Sequence, residues 1–409
     1  MRSSYSWLSG ELFLLLVVYV HFFDLVPLLP LSDGNISLLE AFLLLLIMYL
    51  KYVGFRSSPS KLRFRSPVFW IYMGVFVSFI PSYLYYNQHF IDSVIVNRWF
   101  FCFMLFPALM ATRPTWAELR NTFYAFFVFW ILLSFIVTFF FRSWVSVPDG
   151  MDFLGAGDLL HVVPGARLVM VAFIFAIDQW MRQRTLQRFA WMFFVFVGLF
   201  LLQGRTLLVA AVIIILVAVV PRNSRGARML SPIPMVLLLV FFLFLSANRI
   251  LIMWNETVSQ VNDLDYNRIK ALVYMLSGQN GPMSYLWGNG FISGNVNSIV
   301  SDLQAEGIYY SDVGLVGFWY QYGLIPLFVT LYYVIKGLPR HCSFIVRANA
   351  IFILVGALTL SYFGMMECML WLSVYFYLYF TDEQRLEAER LKAEQKALNV
   401  MKKYRSIAE

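Results

Sequence analysis

Apolar residues fill long runs of this chain, and polar residues collect in the gaps between them. The runs fall at 9–30, 37–53, 67–87, 92–112, 118–141, 162–180, 187–203, 205–221, 233–249, 312–336, 346–362 and 364–380. Each is near the ~20 residues a helix needs to cross the hydrocarbon core of a bilayer. The pattern predicts an all-α polytopic membrane protein with about twelve transmembrane helices. Residues 1–380 form the integral membrane domain. The seventh and eighth runs are joined only by the turn Gln203-Gly204-Arg205.

Two polar gaps are long. One is 142–161, RSWVSVPDGMDFLGAGDLLH. The other is 250–311, ahead of the tenth run, too long for a plain connector. Within it, ETVSQVNDLDYNRIKALVYMLSG predicts a helix and QNGPMSYLWGNGFISGN a turn-rich loop. The end of the chain differs in kind. Residues 381–409 are charged, with acids first and bases last, and Thr381 and Gln384 fit a capping box. This tail reads as a solvated cytoplasmic helix.

Composition sharpens the class. The chain of 409 residues is 60% hydrophobic and 13% charged, against roughly 25% charged in soluble domains; its mean hydropathy is +0.71. Cys102, Cys342 and Cys368 form no spaced pair, and the histidines are scattered, so neither a disulfide framework nor a metal site is indicated. No cofactor is implied. The start, MRSSYSWLSGELFLLLVVYVHFF, lacks a small-residue cleavage site and reads as a retained first helix.

Charge sets the orientation. Of the 31 lysines and arginines, all but Arg98, Arg142, Arg167, Arg205, Arg249, Arg268 and Lys270 fall on one side, in alternate loops and at both termini. By the positive-inside rule that side is cytoplasmic, with both termini on it. The formal net charge of +8 is therefore mostly topology and requires no nucleic acid.

The exceptions carry the chemistry. Arg98, Arg167 and Arg205 lie at the outer ends of their runs, and Arg268 lies in the long outer loop. A charge at the centre of a membrane helix costs about 2.5–3.5 kcal/mol, and less near the interface. Arginine presents a permanently charged planar fork that matches phosphate oxygens. Four on one side fit a lipid-linked anionic substrate, whose phosphates sit at the leaflet surface. Each also has a plainer role: Arg98 can snorkel or pair with Asp92, Arg167 can mark a helix boundary, and Arg268 can be an ordinary residue of an amphipathic helix. Asp312 opens the tenth run, in SDVGLVGFWYQYGLIPL, as a helix cap or a general base. Tyr309, Tyr310, Trp319, Tyr320 and Tyr322 offer rings for sugars or form an interfacial belt. GNGFISG follows no predicted strand, so a nucleotide fold is not indicated.

The order Gly-Arg-Thr opening a run, an arginine in a long outer loop helix, YLWGNGF, then SDVGLVGFWYQYGLIPL resembles the bacterial O-antigen polymerases (Wzy-type) and the related O-antigen ligases. The resemblance covers roughly 160–340. It implies a GT-C-like glycosyltransferase of the inner membrane, with its active site facing the periplasm and needing neither nucleotide sugar nor metal. Donor and acceptor would be oligosaccharide repeat units on undecaprenyl pyrophosphate, and the product an O-antigen or related surface polysaccharide. Arg205 and Arg268 match the arginines that hold the pyrophosphate, and Asp312 completes the candidate catalytic set; Arg98, Arg167, Tyr309 and Tyr310 would bind substrate. Membrane lipid is an implied partner, and a polysaccharide chain-length regulator is a further candidate. The ligase pattern has a histidine where this chain has Asp312, which favours the polymerase over the ligase. A lipid-linked oligosaccharide flippase would share the span count, but the long outer loop and the unequal halves oppose it.

Overall fold

The computed structural model describes residues 67–140, 165–201, 205–219, 266–277, 282–292, 313–357 and 366–408, with 240, 258, 303, 306 and 308 besides. The runs at 9–30 and 37–53, nearly all of 233–249, and the gap 142–161 lie outside them. Among the described residues there are thirteen α-helices, one 3-10 helix and no strand. The helices are α1 Pro67–Tyr86, α2 Phe90–Val96, the 3-10 helix Arg98–Met104, α3 Leu105–Thr112, α4 Trp116–Phe140, α5 Ala166–Arg182, α6 Leu186–Leu201 and α7 Arg205–Val219. They continue with α8 Asn267–Ser277, α9 Pro282–Trp287, α10 Gly314–Tyr322, α11 Leu324–Lys336, α12 Phe344–Ala357 and α13 Met366–Ala408. Two stretches, Pro67–Tyr86 and Trp116–Ile136, are long and apolar enough to cross a membrane.

The core forms around α5. Every residue from Leu168 to Ile177 is at most 2% exposed, and α4, α6, α7, α12 and α13 all pack on this helix. A helix apolar on every side has no face to give to solvent, so it takes the centre. Helix α11 lies against α1 at close range. Pro326 sits in the first turn of α11, where its missing N–H breaks no helical bond. Its ring packs onto Gly74, where any Cβ would collide with it.

Three elements differ from the hydrophobic pattern. The run 92–112 is broken, because the Asn97 side chain donates back to the Ser93 carbonyl at 2.7 Å and ends α2. The chain then passes through a 3-10 turn into α3. The run 312–336 is broken at Gly323, which divides α10 from α11. The last run and the tail are instead one helix of 43 residues, α13, about 65 Å long at ~1.5 Å per residue. Thr381 is therefore no cap: its hydroxyl donates to the Tyr377 carbonyl at 2.9 Å within the helix. Cys368–Tyr379 is buried, whereas Leu391 and Leu398 are exposed.

The helical body has two distinct ends. At the tail end, Trp116 Nε1 donates to Thr381 Oγ1 at 3.1 Å and Tyr375 Oη to the Tyr333 carbonyl at 2.8 Å. Asp382, 1% exposed, accepts the Ser343 N–H at 2.7 Å just ahead of α12 and pairs with Arg385 at 2.7 Å. The other end carries the starts of α5 and α7 and the break between α10 and α11.

Candidate functional site

YLWGNGF and FWYQYG, far apart in sequence, interlock at that other end. The first was expected to be a turn-rich loop; it instead carries α9, followed by Gly288-Asn289-Gly290. Asn289 N–H donates to the Tyr320 carbonyl at 2.7 Å and Gly290 N–H to the Gln321 carbonyl at 2.8 Å. These acceptors lie at the end of α10, where the helix leaves carbonyls unsatisfied. Trp319 Nε1 returns a bond to the Tyr285 carbonyl at 2.8 Å.

Helix α1 closes the clasp from beneath. Ser82 Oγ donates to the Asn289 carbonyl at 3.3 Å, and Gln88 Nε2 donates to the Phe291 carbonyl at 3.0 Å. Asn289 and Ser82 are fully buried. A Cβ on Gly290 would occupy the place of the Ser82 hydroxyl. The glycines of GNG thus serve close backbone packing. Asn97 joins the same unit, its Oδ1 accepting the Tyr322 hydroxyl at 2.8 Å.

The structure separates the candidate aromatics. Tyr320 and Tyr322 are buried and used in packing: Tyr322 lies edge-on to Phe100 at 4.9 Å, and Tyr320 lies 6.1 Å from Tyr274. Neither presents a free face to a sugar. Trp319 is half-buried and leans on Tyr285, with centroids 5.6 Å apart; Tyr285 is 41% exposed. This pair is one accessible ring surface at the clasp. Tyr309, Tyr310 and Asp312 lie outside the described residues. The turn that Asp312 precedes is described: Val313 leads into α10 at Gly314.

The backbone brings the arginine positions to the clasp end. Arg167 is in the first turn of α5, whose far end, Arg182, meets the start of α6. Helix α6 runs back and stops at Leu201, and Arg205 is the first residue of α7. Arg98 follows Asn97, which is bonded into the clasp. Arg268 is exposed on α8, whose other face seats Ala271 and Met275 against Tyr320. Helix α7 packs on α12 and α5, and α8 packs on α10, so Arg205 and Arg268 come to this end on different supports.

Sequence reasoning missed Ser82, Gln88, Asn97, Tyr285 and Gln321. The polar ones carried a signal, since each interrupts or ends an apolar run. Gln321 is 1% exposed, and its Oε1 accepts no hydrogen bond among the described residues. Among those residues no three His, Cys, Asp or Glu side chains gather as metal ligands would. Comparisons of the chain with family models, with curated proteins and with solved structures gave no match.

Proposed function

We propose that this chain is a polysaccharide polymerase of the bacterial inner membrane, with about twelve spans, a GT-C-like plan, both termini cytoplasmic and the clasp end periplasmic. It transfers a growing glycan from undecaprenyl pyrophosphate to a sugar hydroxyl of another lipid-linked repeat unit. One observation carries the reading. The helix starts bearing Arg98, Arg167 and Arg205 share an end with the clasp and with Arg268, while the charged tail leaves from the opposite end. Such an end suits a diphosphate at the leaflet surface and a glycan above it.

In the reaction, the acceptor hydroxyl attacks the anomeric carbon of the donor, and the bond from that carbon to the pyrophosphate oxygen breaks. The hydroxyl proton passes to Asp312. The leaving lipid pyrophosphate takes the electron pair, and Arg205 and Arg268 meet the charge that develops on it. Preorganised cations help most at that point, because the charge is larger in the transition state than in the bound donor. The Trp319–Tyr285 pair offers a ring face for the glycan. Long-range support comes from the clasp, which holds this end rigid.

The deciding experiment is a deletion strain analysed for surface polysaccharide. The expected result is a ladder of lengths collapsing to single repeat units. Repeat units trapped inside the cell would point to a flippase, and an intact ladder left unattached to its lipid core would point to a ligase. Asp312→Ala should reproduce the deletion with protein level unchanged, and Asp312→Asn should be nearly as poor. Full activity in Asp312→Asn would remove this residue as the base.

A further inference from the structure

A second basic site lies at the tail end of the body, away from the clasp and independent of the proposed reaction. Helices α4, α5 and α6 border an open cavity of about 500 Å3 lined by Tyr124, Gln179, Arg188, Trp191 and Phe194. Gln179 stands between two guanidinium groups. Nη1 of Arg120 and Nη1 of Arg188 lie 2.7 and 2.6 Å from one atom of its amide. That atom is the oxygen, since a nitrogen there would face only donors. The amide nitrogen then donates to Tyr124 Oη at 3.3 Å.

The charge at this place is unbalanced. Gln179 is neutral, so it satisfies hydrogen-bond geometry and offsets neither positive charge. Asp178, beside Gln179 in the chain, is held by Arg182 through contacts of 2.7 and 3.3 Å. Neither Arg120 nor Arg188 has a carboxylate partner among the described residues. Arg120 otherwise spends Nε and Nη2 on the neutral amide oxygen of Asn121, at 3.2 and 3.1 Å. The Trp191 indole N–H is buried against the Tyr124 hydroxyl, its nearest acceptor, in a geometry short of a full hydrogen bond. Two like charges drawn to one neutral oxygen, with a weakly held indole N–H beside them, are arranged to receive an anion. Phe194, 43% exposed, and Trp191 give the cavity an apolar wall next to its polar corner.

We propose that this cavity binds a phosphate group, held by Arg120, Arg188 and the Trp191 N–H. The group belongs to the headgroup of an anionic phospholipid or to free phosphate. Both share the chemistry that guanidinium forks recognise.

The test uses the purified full-length chain in a non-ionic detergent. Thermal unfolding is followed while dioctanoyl phosphatidylglycerol, dioctanoyl phosphatidylcholine or inorganic phosphate is titrated in. Phosphatidylglycerol should raise Tm saturably, and phosphatidylcholine, whose net charge is zero, should not. In the Arg120→Gln/Arg188→Gln variant the half-effective concentration should rise at least tenfold, while Arg184→Gln, an exposed neighbour outside the cavity, should match the wild type. A response to inorganic phosphate that the double variant loses identifies free phosphate as the source; its absence alongside a phosphatidylglycerol response identifies the lipid. If the double variant does not fold, Arg188→Gln alone carries the comparison. Equal responses to the two lipids, no response to either anion, or a wild-type response in the arginine variant would each overturn the proposal.

Discussion

Replacing Gly323 by alanine tests whether the clasp is as rigid as its geometry demands. Gly323 has φ 78° and ψ −170°, a region that residues with a Cβ avoid. That conformation alone costs about 1–3 kcal/mol. The new Cβ would overlap the Leu286 carbonyl oxygen and come within 2.6 Å of Trp287 C and 2.7 Å of Gly288 N. These are backbone atoms, so no side-chain rotation relieves the overlap. The YLWGNGF segment must lift away, weakening the bonds from Asn289 N–H and Gly290 N–H at 2.7 and 2.8 Å. Each buried bond is worth about 1 kcal/mol net. The total loss is therefore about 3–5 kcal/mol. On a purified, detergent-solubilised sample this should lower Tm by about 3–6 °C. Cysteines placed in YLWGNGF should also become accessible to a water-soluble maleimide. A Gly323→Ala protein with wild-type Tm and a protected YLWGNGF segment would refute the claim that direct backbone contact holds the clasp.

Three further outcomes are expected. Arg205→Ala should remove most polymer made in vitro from purified lipid-linked repeat unit at matched expression, and Arg205→Lys should recover only part, because an ammonium keeps the charge and loses the fork; wild-type activity in Arg205→Ala would reduce the residue to an interfacial side chain. Asp382→Ala strands the buried Ser343 N–H, so it should cost about 1–3 kcal/mol, read as a lower Tm, whereas Glu387→Ala on the exposed face of the same helix should leave Tm unchanged. Burial raises the Cys342 thiol above its ordinary pKa, and the Asp382 carboxylate adds to the rise. The reactive thiolate is thus scarcer than in a free cysteine at neutral pH, and maleimide labelling should be slow at pH 7 and accelerate only at more alkaline pH; a rate at pH 7 equal to that of an exposed cysteine placed at Arg184 would contradict this.

The helical character of this chain was legible along the sequence, since length and apolarity are local properties. The hydrophobic pattern located α1, α4, α5, α6, α7 and α12 to within a few residues, and it placed the start of α7 at Arg205. Arginines at run ends were equally visible, because one charge in an apolar stretch stands out without any neighbour. What apolarity could not show was where a run breaks. Asn97 and Gly323 each sit inside a run of ordinary length, and each is held in place by a partner remote in sequence. Tyr322 holds Asn97 from 225 residues away, and Leu286 and Gly288 occupy the space beside Gly323. The capping-box reading of Thr381 failed for a related reason: burial carries α13 helical through the boundary between apolar and charged sequence.

The sequence by itself determined the class, the candidate arginines and the uneven distribution of charge, because each follows from residue type and spacing. Only the tertiary structure decided that GNG is a packing device, that Tyr320 and Tyr322 are committed to the interior, and that Arg120 and Arg188 share one amide oxygen. Those facts depend on which donor meets which acceptor across segments more than two hundred residues apart. A hydrogen bond is short and directional, and burial makes an unmade one expensive, so the arrangement is selected by the whole packed set of helices. No periodicity along the chain encodes it.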